Sequence, residues 1–424
     1  MSRLMVPPYA LLRGAQGAAL AGAPVPFDAS DPFAKYAAPG VWVKDFDYSR
    51  AAPSGLSRMY QASNGNVLVS ATTQTIGFVL DETAAIGATV FSDDFGSYAD
   101  AAAVVAAGWV VQHYNGTATV VDNTRLTLVS GVARVTNGVG SSDFASAAKG
   151  FTCVVGKTYR VTAAVIPVTA SPQVVVQIGT TAGTNGTMLI NLVLATSQTW
   201  VGYFRATATT HYFAFGHAGG ADSASVGCDS VVIEELVGDH LIQTTSGQRG
   251  TSQDVSGVKV WRGDAVDDNL LAAISPAVAT TMFLRVKPTG AARYLAGTLG
   301  GSTTRFYMTC NVTTGQLGAG VGSVTESTIT GGSDIQNIEG VAVLRATGAR
   351  VSLWWYPVGG ALSQLYDDVQ TGSPTTTIPF RFGAINNNGT VGSAPMAGDL
   401  YKIFVVQAAM SDADVATMAA AMAA

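Results

Sequence analysis

The sequence predicts an all-β protein, with an N-terminal extended arm carrying short strands followed by two tandem β-sandwich domains. Three observations carry this reading. Only 12% of the 424 residues are charged and 48% are hydrophobic, a balance that suits many short half-buried strands better than charged-faced helices. Glycine is abundant, at 48 residues, and supplies the turns that such strands need. From position 91 onward, short runs of β-formers alternate with clusters of Gly, Asn and Ser, the pattern of a sandwich.

The elements follow in order. Residues 1–90 read as an arm plus a small β anchor unit. The first 40 or so are rich in Ala, Gly and Pro without a sustained period, so they need a partner surface to become ordered. Residues 41–82 hold strand-like runs such as "VWVKDFDY" and "TIGFVLD", with a hairpin-turn signal in "SNGN" at 63–66. "TAAIGATV" at 83–90 reads as a linker. The second unit, 91–236, opens on "FSDDF", passes through a short helix within 98–109, and continues in strands such as "KTYRVTAAVIPV" and "PQVVVQIGT". The third, 237–424, runs through "TTMFLRVKP" and "GVAVLRATGARVSLWWYPVGG" to a terminal helix in "SDADVATMAAAMAA". There Ser411 is the N-cap and Asp414 completes a capping box. The lack of a fixed repeat argues against solenoids and propellers.

Several function classes are disfavoured. A net charge of −5 with no basic run argues against a nucleic-acid surface. No apolar run approaches the roughly 18 residues of a membrane span. Pro7, Pro8 and Arg13 interrupt any signal-peptide core, so standard secretion is not expected. Cys153, Cys228 and Cys310 sit in apolar contexts without ligand spacing and read as buried small hydrophobes, made in a reducing cytoplasm.

Catalytic signatures are missing. There is no nucleophile elbow, zinc-protease helix or phosphate loop. His211 and His217 share a strand face without a third ligand, and read as a surface or cleft pair without metal. The doublets Asp93–Asp94, Glu234–Glu235 and Asp367–Asp368 point to opposite strand faces, which suits a glycosidase dyad poorly. No enzyme activity is expected. Aromatic residues are the stronger signal: Trp109, Trp200, Tyr203, Tyr212, Trp354 and Trp355 are candidates to stack on sugar rings, with core packing as the alternative. Strand alternation puts one of Trp354 and Trp355 inside and the other outside. Asp264, Asp267 and Asp268 crowd into "GVKVWRGDAVDDNLLAA", as a metal site, a catalytic cluster or a turn.

"HLIQTTSGQRGTSQ" at 240–253, "GVKVWRGDAVDDNL" and the terminal "GDLYKIFVVQAAM" resemble the concanavalin A-like (laminin-G-like) jelly-roll sandwiches of bacteriophage structural proteins. Arg262 departs from that pattern, where an acidic or polar residue is usual. The resemblance makes "GDAVDDN" a turn: Gly263 bends it, and Asp267 and Asp268 bind backbone N–H groups, with calcium as an alternative use of the carboxylates. "FSDDFGS", "TWVGYFRATATTHYFAFGH" and "VGCDSVVIEEL" resemble galactose-binding-like carbohydrate-binding modules, also jelly rolls. That resemblance implies a structural calcium between Asp93 or Asp94 and Asp229. Segment 40–82 resembles phage fibre and capsid-associated proteins.

Together these resemblances imply a virion structural protein of a phage or gene-transfer particle, a fibre, spike or tail tip assembled in the host cytoplasm. Its arm would dock on other virion proteins, its sandwiches would bind host-surface glycans, and its copies would form a homotrimer. No nucleic acid or membrane partner and no obligatory cofactor are expected. A ligand-free collar, plug or decoration, a polysaccharide-degrading enzyme, and a secreted adhesin are the alternatives.

Overall fold

The computed structural model describes residues 27–30, 32–36, 38–43, 46, 59–60, 71–76, 78–80, 84–115, 119–138, 143–168, 174–182, 188–217, 224–238, 240–289, 294–311, 314–392 and 395–424. The turn expected at 63–66 and residues 1–26 of the expected arm lie outside them. Residues 1–38 and 39–424 form separate compact units. In the first, Pro32–Ala34 makes one 3-10 turn, and the Phe27 and Tyr36 rings meet edge to face at 6.0 Å. The second unit is all-β, with two sandwiches of mainly antiparallel strands.

The middle sandwich packs two six-stranded sheets face to face. One runs Gln198–Arg205, Thr158–Pro167, Ser225–Val237, Val132–Thr136, Leu126–Val129, with Ala85–Asp94 also paired to Ser225–Val237. The other runs Met188–Leu194, Val174–Gly179, Thr210–His217, Asp143–Thr152, Val110–Asn115, Thr119–Val121. Thr158–Pro167 shows how the sequence builds a strand. Tyr159, Val161, Ala163 and Val165 point into the core, while Arg160, Thr162 and Ala164 face outward. The helix expected within 98–109 spans Ala101–Ala106, capped by the Asp100 carboxylate. Residues 85–90 of the expected linker belong to the strand Ala85–Asp94. Its small residues form a strand because Ser225–Val237, far along the chain, offers an open edge.

The C-terminal sandwich has an eight-stranded sheet in the order Thr251–Val255, Val258–Asp264, Ala397–Val406, Thr280–Pro288, Gly340–Ala346, Arg350–Pro357, Ser363–Val369, with Gly40–Val43 also paired to Ala397–Val406. The opposing sheet includes Phe78–Val79, Leu241–Ile242, Leu270–Leu271, Arg381–Phe382, Tyr294–Leu299, Arg305–Cys310, Gln316–Val321 and Val324–Asp334. Between them lies a core that includes Trp261, Met282, Leu284, Phe306, Leu344, Phe382 and Ile403. Each such side chain contributes roughly 1.5–3 kcal/mol on burial.

The described residues of segment 40–80 do not form a separate anchor unit. Gly40–Val43 pairs with Ala397–Val406, Phe78–Val79 pairs with Leu241–Ile242, and Val41, Val43, Phe46, Ile76 and Val79 enter the C-terminal core. The middle sandwich is therefore an insertion in the C-terminal one. The two crossings run side by side: Val79 pairs with Leu241, and Ala85 with Val237. Leu80, Tyr203 and Leu236, with Ala84 and Ile242 against them, fill the junction.

The helix Asp412–Ala423 closes the outer face of the eight-stranded sheet, packing on Thr280–Pro288, Gly340–Ala346 and Arg350–Pro357. Val415, Met418, Ala419 and Met422 form its buried stripe at helical spacing. Ser411 Oγ accepts from Asp414 N at 3.2 Å, as the capping box requires. Arg345 donates to Met410 O at 2.7 Å near the N-terminus, and Arg285 donates to Met422 O at 3.0 Å in the last turn. The second contact puts a cation where the helix dipole favours one.

Candidate binding site

Four of the six aromatic candidates are buried. Trp109 is fully buried between Phe95, Phe213 and Phe215. Tyr203 sits in the junction cluster. Trp354 and Trp355 are 4% and 8% exposed, where alternation predicts one outside. Alternation does send them to opposite faces. Trp355 enters the core over Gly340, and Trp354 faces outward but lies beneath the Arg345 guanidinium, 4.8 Å above its ring. The terminal helix holds Arg345 there. Buried rings have no free face for a sugar, which leaves Trp200 and Tyr212, both half-buried. Trp200 lies flat over Gly202, where a Cβ would come within 2.1 Å of the ring, and Tyr212 covers Gly150.

Asp93, Asp94 and Asp229 do separate jobs. Asp93 is buried, and its Oδ2 accepts from Trp109 Nε1 and from Lys149 Nζ, each at 2.8 Å. That ammonium already neutralises the carboxylate, so the arrangement does not fit a divalent cation. Asp94 caps the turn Phe95–Ser97 by accepting from Gly96 N at 3.0 Å. Asp229 occupies the register shift of its strand, between Cys228 (opposite Val165) and Ser230 (opposite Ala164).

Asp264, Asp267 and Asp268 do converge, each offering an oxygen within 4.8 Å of the others'. Their hydrogen bonds describe a turn. Asp264 Oδ1 accepts from Val266 N at 2.8 Å, and Asp268 Oδ2 accepts from Asp264 N at 3.1 Å. Asp264 and Asp268 bind the backbone, where the sequence points to Asp267 and Asp268. The left-handed residue is Ala265 (φ 68°), not Gly263. Gly263 is needed for close approach instead, since a Cβ there would meet Met396 O at 2.6 Å. Burial, then the Asp264 charge, raises the Asp268 carboxyl to about 7.

The remaining titratable candidates are structural. His211 and His217 are buried in the middle sandwich rather than at its surface, because their shared face is the inner one. His211 lies against Phe151 and Phe204. The acidic doublets make ion pairs: Arg160 with Glu234, Lys157 with Glu235, and Arg350 with Asp367. The three cysteines are buried. Arg262, the departure from the resemblance, lies across from Asp399 and binds it through two hydrogen bonds, of 2.5 and 2.9 Å.

A polar cleft of about 500 Å³ opens at the junction side of the C-terminal sandwich. Its wall is the loop after Leu241–Ile242. Gln243 Nε2 donates to Asn269 Oδ1 at 2.6 Å, and Gln243 Oε1 accepts from Thr245 N at 2.9 Å. Arg249 Nε donates to Gln243 O at 3.1 Å and clamps the loop from behind. Thr245, Gln248 and Thr390 add further donors and acceptors to the lining. Thr390 comes from the hairpin Asn386–Val391, turned at Asn388 (φ 49°) and Gly389 (φ 90°), the paired positive-φ geometry of an Asn-Gly turn. Arg381 projects from the short strand Arg381–Phe382 and is 7% exposed.

Sequence reasoning passes over this cleft because its members come from four separated stretches: 242–248, 269–271, 381 and 389–391. Two local signals were available. One is the polar run "QTTSGQRG". The other is a single cation in the apolar "IPFRFGAI".

No protein-family model matches the chain, and no curated protein is similar to it in sequence. Among solved structures, a Streptococcus pneumoniae NanB sialidase overlaps 34% of the chain at 18% identity, with a TM-score of 0.25. The matched part spans 24% of that sialidase. The CBM40 of a Ruminococcus gnavus sialidase, bound to α2,3-sialyllactose, overlaps 34% of the chain and 84% of its own length at 15% identity and a TM-score of 0.27. An arabinofuranosidase complexed with arabinofuranosyl-xylobiose overlaps 61% of the chain and 62% of its own at 11% identity and a TM-score of 0.35.

Proposed function

We propose that this chain binds glycans without cleaving them, as a structural component of a phage or phage-like particle. The observation that carries the binding reading is the polar cleft. Amide and hydroxyl groups from Gln243, Thr245, Gln248, Asn269 and Thr390 surround about 500 Å³ beside the apolar Ile242, Leu271 and Val391. Sugars have the matching character: a ring of hydroxyls around apolar C–H faces. The cleft replaces the aromatic platform as the centre of the reading, since most of those rings pack inside.

The particle assignment rests on the resemblance of segments 40–82 and 240–424 to phage structural proteins. In this reading the N-terminal arm docks on other virion proteins, and three copies of the chain assemble on the virion. Weak single sites then act together through effective concentration. A binding test uses the purified full chain on a glycan array. Binding to defined glycans, lost in Gln248→Ala and Thr245→Val, supports the site. An array without a single bound glycan overturns it in favour of a purely structural component. Release of reducing ends from a bound polysaccharide overturns the non-enzymatic part. Failure of an antibody against the chain to decorate particles from the source culture overturns the virion assignment.

A further inference from the structure

We infer that the cleft is built for an anionic sugar chain, and that it continues past Ile242 and Leu271 into a second cavity where Arg205 takes another anionic group. This deepens the glycan reading above and rests on it. Arg381 is 7% exposed, and its Nε has no hydrogen-bond partner among the described residues. Its one hydrogen bond there is a long one, from Nη2 to Gly389 O at 3.4 Å. Among the described residues no carboxylate lies within ion-pair distance. A buried guanidinium without a counter-ion is unfavourable, and an anionic ligand supplies what the fold withholds. The planar fork of arginine suits a carboxylate, which it can hold through two parallel hydrogen bonds.

The second cavity, of about 420 Å³, lies between the two sandwiches. Lys157 there is paired with Glu235 at 2.7 Å, but Arg205 has no carboxylate partner among the described residues. Ile242 and Leu271 are cross-strand neighbours, and both line both cavities. Two unpaired guanidiniums thus flank one apolar saddle. That is the arrangement a linear polymer needs when anionic groups recur along sugar rings with apolar faces, as in polyuronic acids. Among the described residues, Glu235 is the one acid lining either cavity, and it is already paired. Asp267 and Asp268 come just before Asn269, but the Asp268 carboxylate turns back to the backbone of its own turn. Among the described residues no Phe, Tyr or Trp lines either cavity, and the His240 ring is buried with its Nε2 against Leu236 O, so a platform for the base stacking that holds single-stranded nucleic acid is missing.

The test measures binding of the full chain to immobilised polygalacturonate, alginate and hyaluronan, to their methyl esters, to neutral polysaccharides and to a single-stranded oligonucleotide. At least one carboxylated polymer should bind, with its methyl ester weaker by about tenfold or more. Arg381→Gln and Arg205→Gln should each weaken binding by a similar factor, with unchanged circular dichroism. Arg205 is half-exposed, so its replacement keeps the test valid even if Arg381→Gln fails to fold. Equal binding of acid and ester, or wild-type affinity in Arg205→Gln, overturns the inference for an anionic chain spanning both cavities. Binding confined to neutral glycans overturns it while leaving the glycan reading intact. Binding to no glycan, or only to the oligonucleotide, overturns both.

Discussion

Trp109 Nε1 donates to Asp93 Oδ2 at 2.8 Å inside the middle sandwich, and Lys149 Nζ reaches the same oxygen at 2.8 Å. One buried carboxylate thereby satisfies the indole of the central aromatic cluster and pairs with a cation. Removing it strands both donors. Asp93→Ala should cost about 3–5 kcal/mol, as expected when one partner of a buried pair is lost. Asp93→Asn, which keeps an acceptor for the indole, should cost less. Urea unfolding followed by tryptophan fluorescence measures both, and equal stability of Asp93→Ala and wild type would refute the assignment.

Asp268 sets a pH dependence. Its carboxyl lies near 7 in the folded chain against 3.8 when unperturbed. The native state therefore keeps a proton that the unfolded state releases between those values. The contribution to stability is fully present below about pH 4, falls as pH rises through about 7, then levels off. Asp268→Asn keeps an acceptor for Asp264 N and removes this titration. At pH 8 it should exceed wild type by on the order of 4 kcal/mol, and the gap should close toward pH 4. Thermal melts across that range show it. A constant gap would exclude Asp268 as the titrating group.

The two classes of tryptophan should separate cleanly. Trp355 fills core space over Gly340, so Trp355→Ala should cost about 3–5 kcal/mol. Trp200 is half-buried, and Trp200→Ala should cost about 1 kcal/mol while leaving glycan affinity unchanged, because the cleft lies elsewhere. Loss of binding in Trp200→Ala would move the site to the middle sandwich.

The thiols should be silent in the native state. Cys153, Cys228 and Cys310 are buried, and burial pushes the Cys153 thiol up to about 12 and raises Cys228 as well. Ellman's reagent at pH 8 should therefore label none of them until guanidinium unfolds the chain, when all react. Rapid labelling of the folded chain would contradict the packing of both sandwiches.

Local chemistry was legible from local sequence. The Ser411 cap, the short helix before Trp109, the apolar character of the cysteines and the turn in "GDAVDDN" each depend on neighbours a few residues away. Strand alternation correctly sent Trp354 and Trp355 to opposite faces, but could not tell that a terminal helix covers the outer one. His211 and His217 illustrate the same gap. Spacing put them on one face, and only the opposing sheet made that face the inside.

The sequence by itself determined the all-β class, the positions of most strands and the caps and turns, because period, β-branching and hydrogen-bonding side chains act over short range. The tertiary structure alone decided that the described residues of segment 40–80 join the C-terminal sandwich, that the middle one is an insertion, and that Arg381 and Arg205 stand on either side of a shared apolar saddle. The physical reason is that an edge strand's partner, or a buried cation's missing counter-charge, is defined by groups distant in the chain. Those groups become neighbours only when the sheets close.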